Sequence, residues 1–231
     1  MSLKPVTDRL FMLSGFVNMY LLDAPEGLTL IDAGLPNSEA KVFSALASLQ
    51  RSPGDLKHVI LTHAHPDHIG SLAAIVRASG ARTYMHPLDA PIAERGGGFR
   101  PLTPAPGLLP ALLFKLFIRT DRTVETAKVD HHVADGDVIP IAGGLKVIHS
   151  PGHCAGQIAL LWMEKGVLFA GDVCANMFGL GPPIAYEDRA QGEASQRRLA
   201  DFAFDTACFG HGKPMRRDTA QRFREFAQRR P

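Results

Sequence analysis

The sequence predicts a mixed α/β fold, with features of the α+β class, from three observations. A run of short β-prone segments opens the chain, with Arg9–Leu13 and Val17–Leu22 separated by Ser14-Gly15, and Leu28–Asp32 closed by Ala33-Gly34. A strand, loop, helix, strand rhythm follows between Leu56 and Met85. A second run of strands then fills Val138 to Ala170, and a last one spans Asp205–Phe209.

Taken in order, the first two segments fit a hairpin, and the third ends unusually, with Asp32 terminating an apolar strand. Asn37 or Ser38 can cap a helix running to about Gln50, where Val42, Ala45, Leu46 and Leu49 recur at helical spacing. Leu56–Leu61 is an apolar strand, Ile69–Ser79 a helix ended by Gly80, and Ala81–Met85 the next strand. From His86 to Asp130 the character changes: Gly96-Gly-Gly98 and several prolines lead into the very apolar run Leu108–Ile118, too short to span a bilayer. That run has three uses open to it, as part of the core, as the wall of an apolar pocket, or as a surface packed on a second copy of the chain. Asp135-Gly-Asp137 turns the chain into Val138–Ile141 and Leu145–His149, Ile158–Met163 and Val167–Ala170 form a hairpin, and from Arg216 a terminal helix turns Ala220, Phe223, Phe226 and Ala227 inward.

Between the strand Leu56–Leu61 and the helix after it lies Leu61-Thr-His-Ala-His-Pro-Asp-His68. Imidazole and carboxylate are the ligands of borderline divalent metals, and His63 and His65 share one face of an extended segment. Pro66 turns the chain, so Asp67 and His68 reach a second ion more easily than the first. The spacing therefore predicts two metals at the carboxyl end of a strand, where sites in such folds form.

These residues, together with Leu30-Ile-Asp-Ala-Gly34, Ser150-Pro-Gly-His153, Phe169-Ala-Gly-Asp172 and Phe209-Gly-His-Gly212, resemble the metallo-β-lactamase superfamily, in its glyoxalase II and lactonase-like branch. The resemblance runs from Asp32 to His211 and implies a four-layer αββα sandwich over a single domain of residues 1–231, with a lid-like insertion around 87–130. It implies a first metal on His63, His65 and His153, a second on Asp67, His68 and His211, and Asp172 bridging them. Asp32 would support the metal-binding loop, Asp67 would relay a proton, and Tyr186, by looser likeness to lactonases, would face the substrate, with a surface or packing tyrosine as the alternative. His58, His86, His131, His132 and His149 match no ligand position.

The implied activity is a dinuclear metal-dependent hydrolase. Two divalent ions, zinc in the first place with iron or manganese as alternatives, would generate a hydroxide that attacks an ester, thioester or lactone carbonyl. A mononuclear iron dioxygenase acting on persulfides would need only the first ligand set, and a non-catalytic metal-binding module would tolerate ligand losses that this chain does not show. The glutathione-specific activity is disfavoured by the lack of a recognisable C-terminal helical addition. The pocket is expected where Leu108–Ile118 meets Met177, Phe178 and Leu180, favouring small-molecule substrates with an apolar acyl group.

Composition narrows the partners. With 231 residues, 45% of them hydrophobic, the chain can bury a large core, and a formal charge of +2 gives no basis for nucleic-acid binding. The arginines Arg216, Arg217, Arg222, Arg224, Arg229 and Arg230 read as a solvated helix face. Cys154, Cys174 and Cys208, an odd number without paired spacing, read as buried thiols in a reducing compartment. Lacking a signal peptide pattern and any membrane-spanning stretch, the protein is expected in the cytoplasm with no membrane partner.

Overall fold

The computed structural model describes residues 3–118 and 123–228. Its first sheet contains, in spatial order, β1 (Leu3–Pro5), β2 (Leu10–Leu13), β3 (Met19–Ala24), β4 (Gly27–Ile31), β5 (Leu56–Ile60), β6 (Arg82–Met85) and β8 (His131–His132). Pairing is antiparallel up to β4 and parallel from β4 through β5 and β6 to β8. The second sheet follows the order β17 (Met215–Arg216), β16 (Thr206–Cys208), β12 (Val167–Phe169), β11 (Ile158–Trp162), β10 (Leu145–His149), β9 (Val138–Ile139). Only β12 and β16 are parallel within it. Two short pairs lie outside the sheets, β7 (Thr103–Pro104) with β15 (Ala185–Tyr186) and β13 (Ala175–Asn176) with β14 (Leu180–Gly181).

Side-chain alternation along the strands sorts the apolar residues into three layers of core. On β3, Tyr20 and Leu22 pack between the sheets, while Met19 and Leu21 face the outer helices α1 (Glu39–Ser48) and α3 (Leu72–Ser79). On β11, Ile158, Leu160 and Trp162 enter the central layer, while Ala159 and Leu161 face α6 (Arg189–Ala200) and α7 (Thr219–Gln228). Helix, sheet, sheet, helix is thus the expected αββα sandwich.

The helix expected over Ile69–Ser79 is two helices. α2 (Pro66–Ile69) starts inside the histidine-rich loop with Pro66 at its first position, and α3 follows a break at Gly70 and Ser71. The break has a cause: the Gly70 amide donates to the Gly34 carbonyl at 2.8 Å, and Ser71 Oγ donates to the Leu35 carbonyl at 2.7 Å, tying this turn to the end of β4. Ser38 does occupy the cap position of α1, but its side chain makes no capping bond. On α7 Phe223, Phe226 and Ala227 are buried, and Arg222 and Arg224 are exposed, as are Arg216 and Arg217 before it; Arg229 and Arg230 lie outside the described residues.

The segment 87–130 contains α4 (Ala90–Arg95), β7 and α5 (Leu108–Phe117), with residues 119–122 outside the described set. Pairing of β7 with β15 lays this segment against the loop that follows Asp172.

Candidate metal centre

Five loops converge at the carboxyl ends of β4, β5, β10, β12 and β16, bringing Asp32, the His63–His68 cluster, His153, Asp172 and His211 together. His63 Nε2 lies 3.1 Å from His65 Nδ1, and the His153 ring stands edge-on to both, with centroids 5.0 and 4.6 Å away. Beside this set, Asp67 Oδ2 is 3.9 Å from His68 Nε2 and 3.4 Å from His211 Nε2. Asp172 sits between the sets: its Oδ1 is 3.6 Å from His68 Nε2, and its Oδ2 is 3.6 Å from His153 Nε2 and 3.1 Å from His211 Nε2. Tetrahedral ligands on bonds of about 2.1 Å stand roughly 3.4 Å from one another, so these spacings suit donors sharing a cation. His68 Nε2, His153 Nε2 and Asp172 Oδ1 are also buried with no hydrogen-bond partner, a costly arrangement that a cation relieves. The residues present therefore fit a metal.

Each imidazole is held from behind, which fixes the nitrogen it offers. Nδ1 of His63 meets Thr62 Oγ1 at 3.0 Å, and Nδ1 of His68 meets Asp32 Oδ2 at 2.9 Å. His153 Nδ1 donates to the Ala185 carbonyl and His211 Nδ1 to that of Phe16, each at 2.8 Å. Asp32 adopts φ 61°, a left-handed conformation unusual for a residue with a side chain. In it, one carboxylate accepts from the Thr62 amide at 2.8 Å and the Thr62 hydroxyl at 3.0 and 2.9 Å while holding His68.

Several further residues secure the loops. Buried Asp89 accepts from the amides of Ala64 and Gly156, each at 2.9 Å, and pairs with Arg100. Arg100 Nε also meets both oxygens of Glu187 at 2.9 and 2.8 Å, and Glu187 accepts from the Ala155 amide at 2.8 Å. Asn18 Nδ2 donates to the carbonyls of Phe209 and Gly212 at 3.0 and 2.6 Å, pinning the His211 loop to β3. With its carboxamide oxygen turned toward the amides of Asp172 and Val173, Gln157 accepts from them at 3.0 and 2.6 Å. Gly210 lies so close that a Cβ there would overlap Asp172 Oδ1 and the His68 ring. Only the glycine and the His-x-His-x-Asp-His spacing carried a local sequence signal; the others are ordinary loop residues whose partners lie far along the chain.

All three cysteines are buried and none is in a disulfide. Cys154 Sγ lies 3.1 Å from His65 Nε2, the ring nitrogen other than the one beside His63, so the thiol backs His65 as carbonyls back His153 and His211. It also falls within reach of the donors of His63, His65 and His153. Tyr186 corrects an expectation. It is buried, its ring against Gly192 and its hydroxyl 3.3 Å from Gln196 Nε2, and it does not line the cavity over the centre. Pairing of β15 with β7 turns it into α6, and its neighbour's carbonyl, Ala185 O, holds His153. The other histidines stand apart from the three donor groups: His58 Nδ1 is 3.2 Å from the Tyr84 hydroxyl, His131 stacks on Tyr84, and His86 stacks on His149 at 4.1 Å.

The electrostatics of the two sets differ. Burial, reinforced by neighbouring imidazoles, holds His63 well below the ordinary histidine value and takes His65 down to about 3, so both offer neutral nitrogens. In the other set burial acts the same way but loses to the carboxylates. Asp32, Asp172 and Asp67 push His68 well above its ordinary value, and Asp172 with Asp67 lifts His211 to about 10. Burial acts to raise Asp172 and Asp67, yet the imidazoles hold both far below the usual carboxylate range.

Above the centre opens a cavity of about 450 Å³. His65, Asp67, His153, Asp172 and His211 form its floor, and Phe16, Phe99, Leu113, Ile118, Met177 and Phe178 supply much of its wall. The two segments expected to meet over the site do so, through Leu113 and Phe178; Leu180 instead packs toward the second sheet's outer core.

A sequence model described as the metallo-beta-lactamase superfamily matches residues 13–211. The chain belongs to the metallo-β-lactamase superfamily. Among curated relatives, YobT of Bacillus subtilis is 29% identical over 228 residues, covering 92% of this chain and 90% of the relative. The probable metallo-hydrolase YflN of the same organism is 29% identical, with 90% and 83% covered. A hydroxyacylglutathione hydrolase of Halorhodospira halophila is 31% identical over 68% of this chain and 47% of its own length. Among solved structures, a metallo-β-lactamase family protein of Thermus thermophilus superposes with a TM-score of 0.72 at 24% identity, covering 97% of this chain and 79% of the other. A subclass B3 metallo-β-lactamase of Bradyrhizobium japonicum gives 0.73 at 21%, covering 98% and 89%. At these identities the structures show the fold.

Proposed function

We propose that the protein is a dinuclear metal-dependent hydrolase of esters, thioesters or lactones carrying an apolar acyl group. The observation that carries the reading is the pairing of backed imidazoles: each ligand ring is held by an outer contact, and the inner nitrogens gather into two sets joined by Asp172. His63, His65 and His153 would hold one ion, and Asp67, His68 and His211 the other. Bound there, two divalent ions, zinc in the first place, would acidify a water into a nucleophile and polarise the carbonyl.

The chain's own groups would do the rest. Asp67, with 22% of its side chain exposed against 8% for Asp172, is the more open carboxylate of the floor and would pass a proton to the leaving group. The wall of Phe99, Leu113, Ile118, Met177 and Phe178 would seat the acyl chain and keep water from it, the role proposed for the 87–130 segment as a lid. The named activities of the relatives, metallo-hydrolase and hydroxyacylglutathione hydrolase, support hydrolysis as the reaction class.

The test couples metal analysis with turnover of a lactone and thioester series, alongside oxygen uptake with a persulfide. The reading expects two metal equivalents, hydrolysis of the series and no oxygen uptake. Oxygen consumption by protein with one iron would overturn it.

A further inference from the structure

Among the described residues, exposed large apolar side chains are concentrated at one place. Leu108, Leu109, Leu112 and Leu116 of α5 are 93, 58, 54 and 62% exposed, and Phe16, Met177 and Phe178 are 54, 52 and 92% exposed. All seven belong to the three segments that line the opening of the cavity, whereas Leu88, Val138 and Met163 are the scattered remainder. No residue of α5 whose side chain is described is buried, although every residue of the helix but Lys115 is apolar. A soluble surface rarely gathers so much apolar area without a partner for it.

We propose that this rim docks peripherally on an anionic lipid surface, with the cavity opening toward the bilayer. Charge favours lipid: α5 carries Lys115 and no acidic residue, Lys213 lies at the cavity lining, and the carboxylates Asp67 and Asp172 point into the metal centre. Area disfavours a second copy. The face of a ten-residue helix, about 15 Å long and 10 Å across, is roughly 150 Å² against the ~800 Å² per partner of a stable interface. A copy seated there would also cover the opening that substrate must use. A lipid surface has neither difficulty, since an interfacial helix sinks only its apolar side into the headgroup boundary. The expectation of no membrane partner rested on the lack of a spanning stretch, and no helix of the described residues is long and apolar enough to cross a membrane. Docking needs none. It stands independently of the reaction assigned to the metals, because its readout is binding.

The experiment uses the metal-loaded full chain, sedimented with phosphatidylcholine vesicles with and without phosphatidylglycerol. The comparison protein is Leu109→Ser/Leu112→Ser, whose positions are exposed and outside the cavity lining, so turnover of a short soluble ester and metal content serve as folding controls. The parent should sediment with the anionic vesicles, with affinity falling on the order of tenfold or more in the double variant and in neutral vesicles. A parent that stays in the supernatant with both vesicle types overturns the proposal, as does equal binding by the double variant. A parent that is dimeric by light scattering and becomes monomeric in the double variant overturns it too, assigning the leucines to an interface between copies. Vesicle binding without hydrolysis of any acyl substrate would leave docking in place and remove the proposed reaction.

Discussion

The metal centre and the wall above it are built on opposite principles. Every ring of the centre has a fixed outer partner, its loops are pinned by Asn18, Asp89 and Gln157, and even the space beside Asp172 is reserved by Gly210. The wall offers α5, none of whose described side chains is buried, and Phe178, 92% exposed. The contrast teaches that position is over-determined where donors must meet within a few tenths of an ångström. Where the contact is only apolar, shape is left free to follow what binds.

The sharpest break comes from removing a donor. Asp172→Ala or His63→Ala should lower kcat/KM for an activated ester or lactone by on the order of a thousandfold or more, with circular dichroism unchanged, because the donors sit at strand ends and not in the three core layers. Turnover surviving in metal-free variant protein would move the chemistry elsewhere. Gly210→Ala tests the reserved space without touching a donor. Its methyl group would collide with Asp172 and His68, so metal analysis should show loss of the ion proposed for Asp67, His68 and His211.

That contrast also explains what the sequence made legible. The seven donors and Asp32 lie in stretches where spacing and a preceding strand identify them, and the structure brings all of them to one place. The supports were not legible. Asp89 meets Ala64 and Gly156, and Arg100 meets Glu187, across separations of 25 to 87 residues that no local pattern encodes. Tyr186 misled for the same reason, since its direction is set by pairing of β15 with β7, a contact between distant segments. The apolar run Leu108–Ile118 announced an apolar element but not its surroundings, because composition is identical for a core, a wall and an interface.

The two metal sets should separate by pH, a smaller effect than loss of a donor. His211, raised to about 10 mainly by Asp172 against the pull of burial, must release a proton to accept a cation, whereas His65, depressed to about 3, already offers a free nitrogen. Zinc affinity at His211's set, as proposed, should therefore rise roughly tenfold per pH unit per displaced proton below pH 10, whereas His65 adds no such slope above about pH 5. Chelator competition at several pH values measures both. For metal-free protein the sign runs the other way: the raised His211 contributes stability fully below its ordinary 6.5, and that contribution fades as pH climbs to about 10. Equal pH slopes for both ions would show that the sets are not electrostatically distinct.

The smallest effect concerns the wall. If acyl chains lie along Leu113 and Phe178, each added methylene buried there gains ~0.8 kcal/mol, about fourfold in kcat/KM. The rise should stop when the chain outgrows a cavity of about 450 Å³. Leu113→Ser and Phe178→Ser should flatten the slope and leave metal content unchanged, since neither residue contributes a donor. Phe114, adjacent in sequence, does not line the cavity and serves as the internal control: Phe114→Ser should keep the slope. A flat series in the parent enzyme would mean that the wall does not read the acyl chain, leaving the exposed leucines of α5 to a purely external contact.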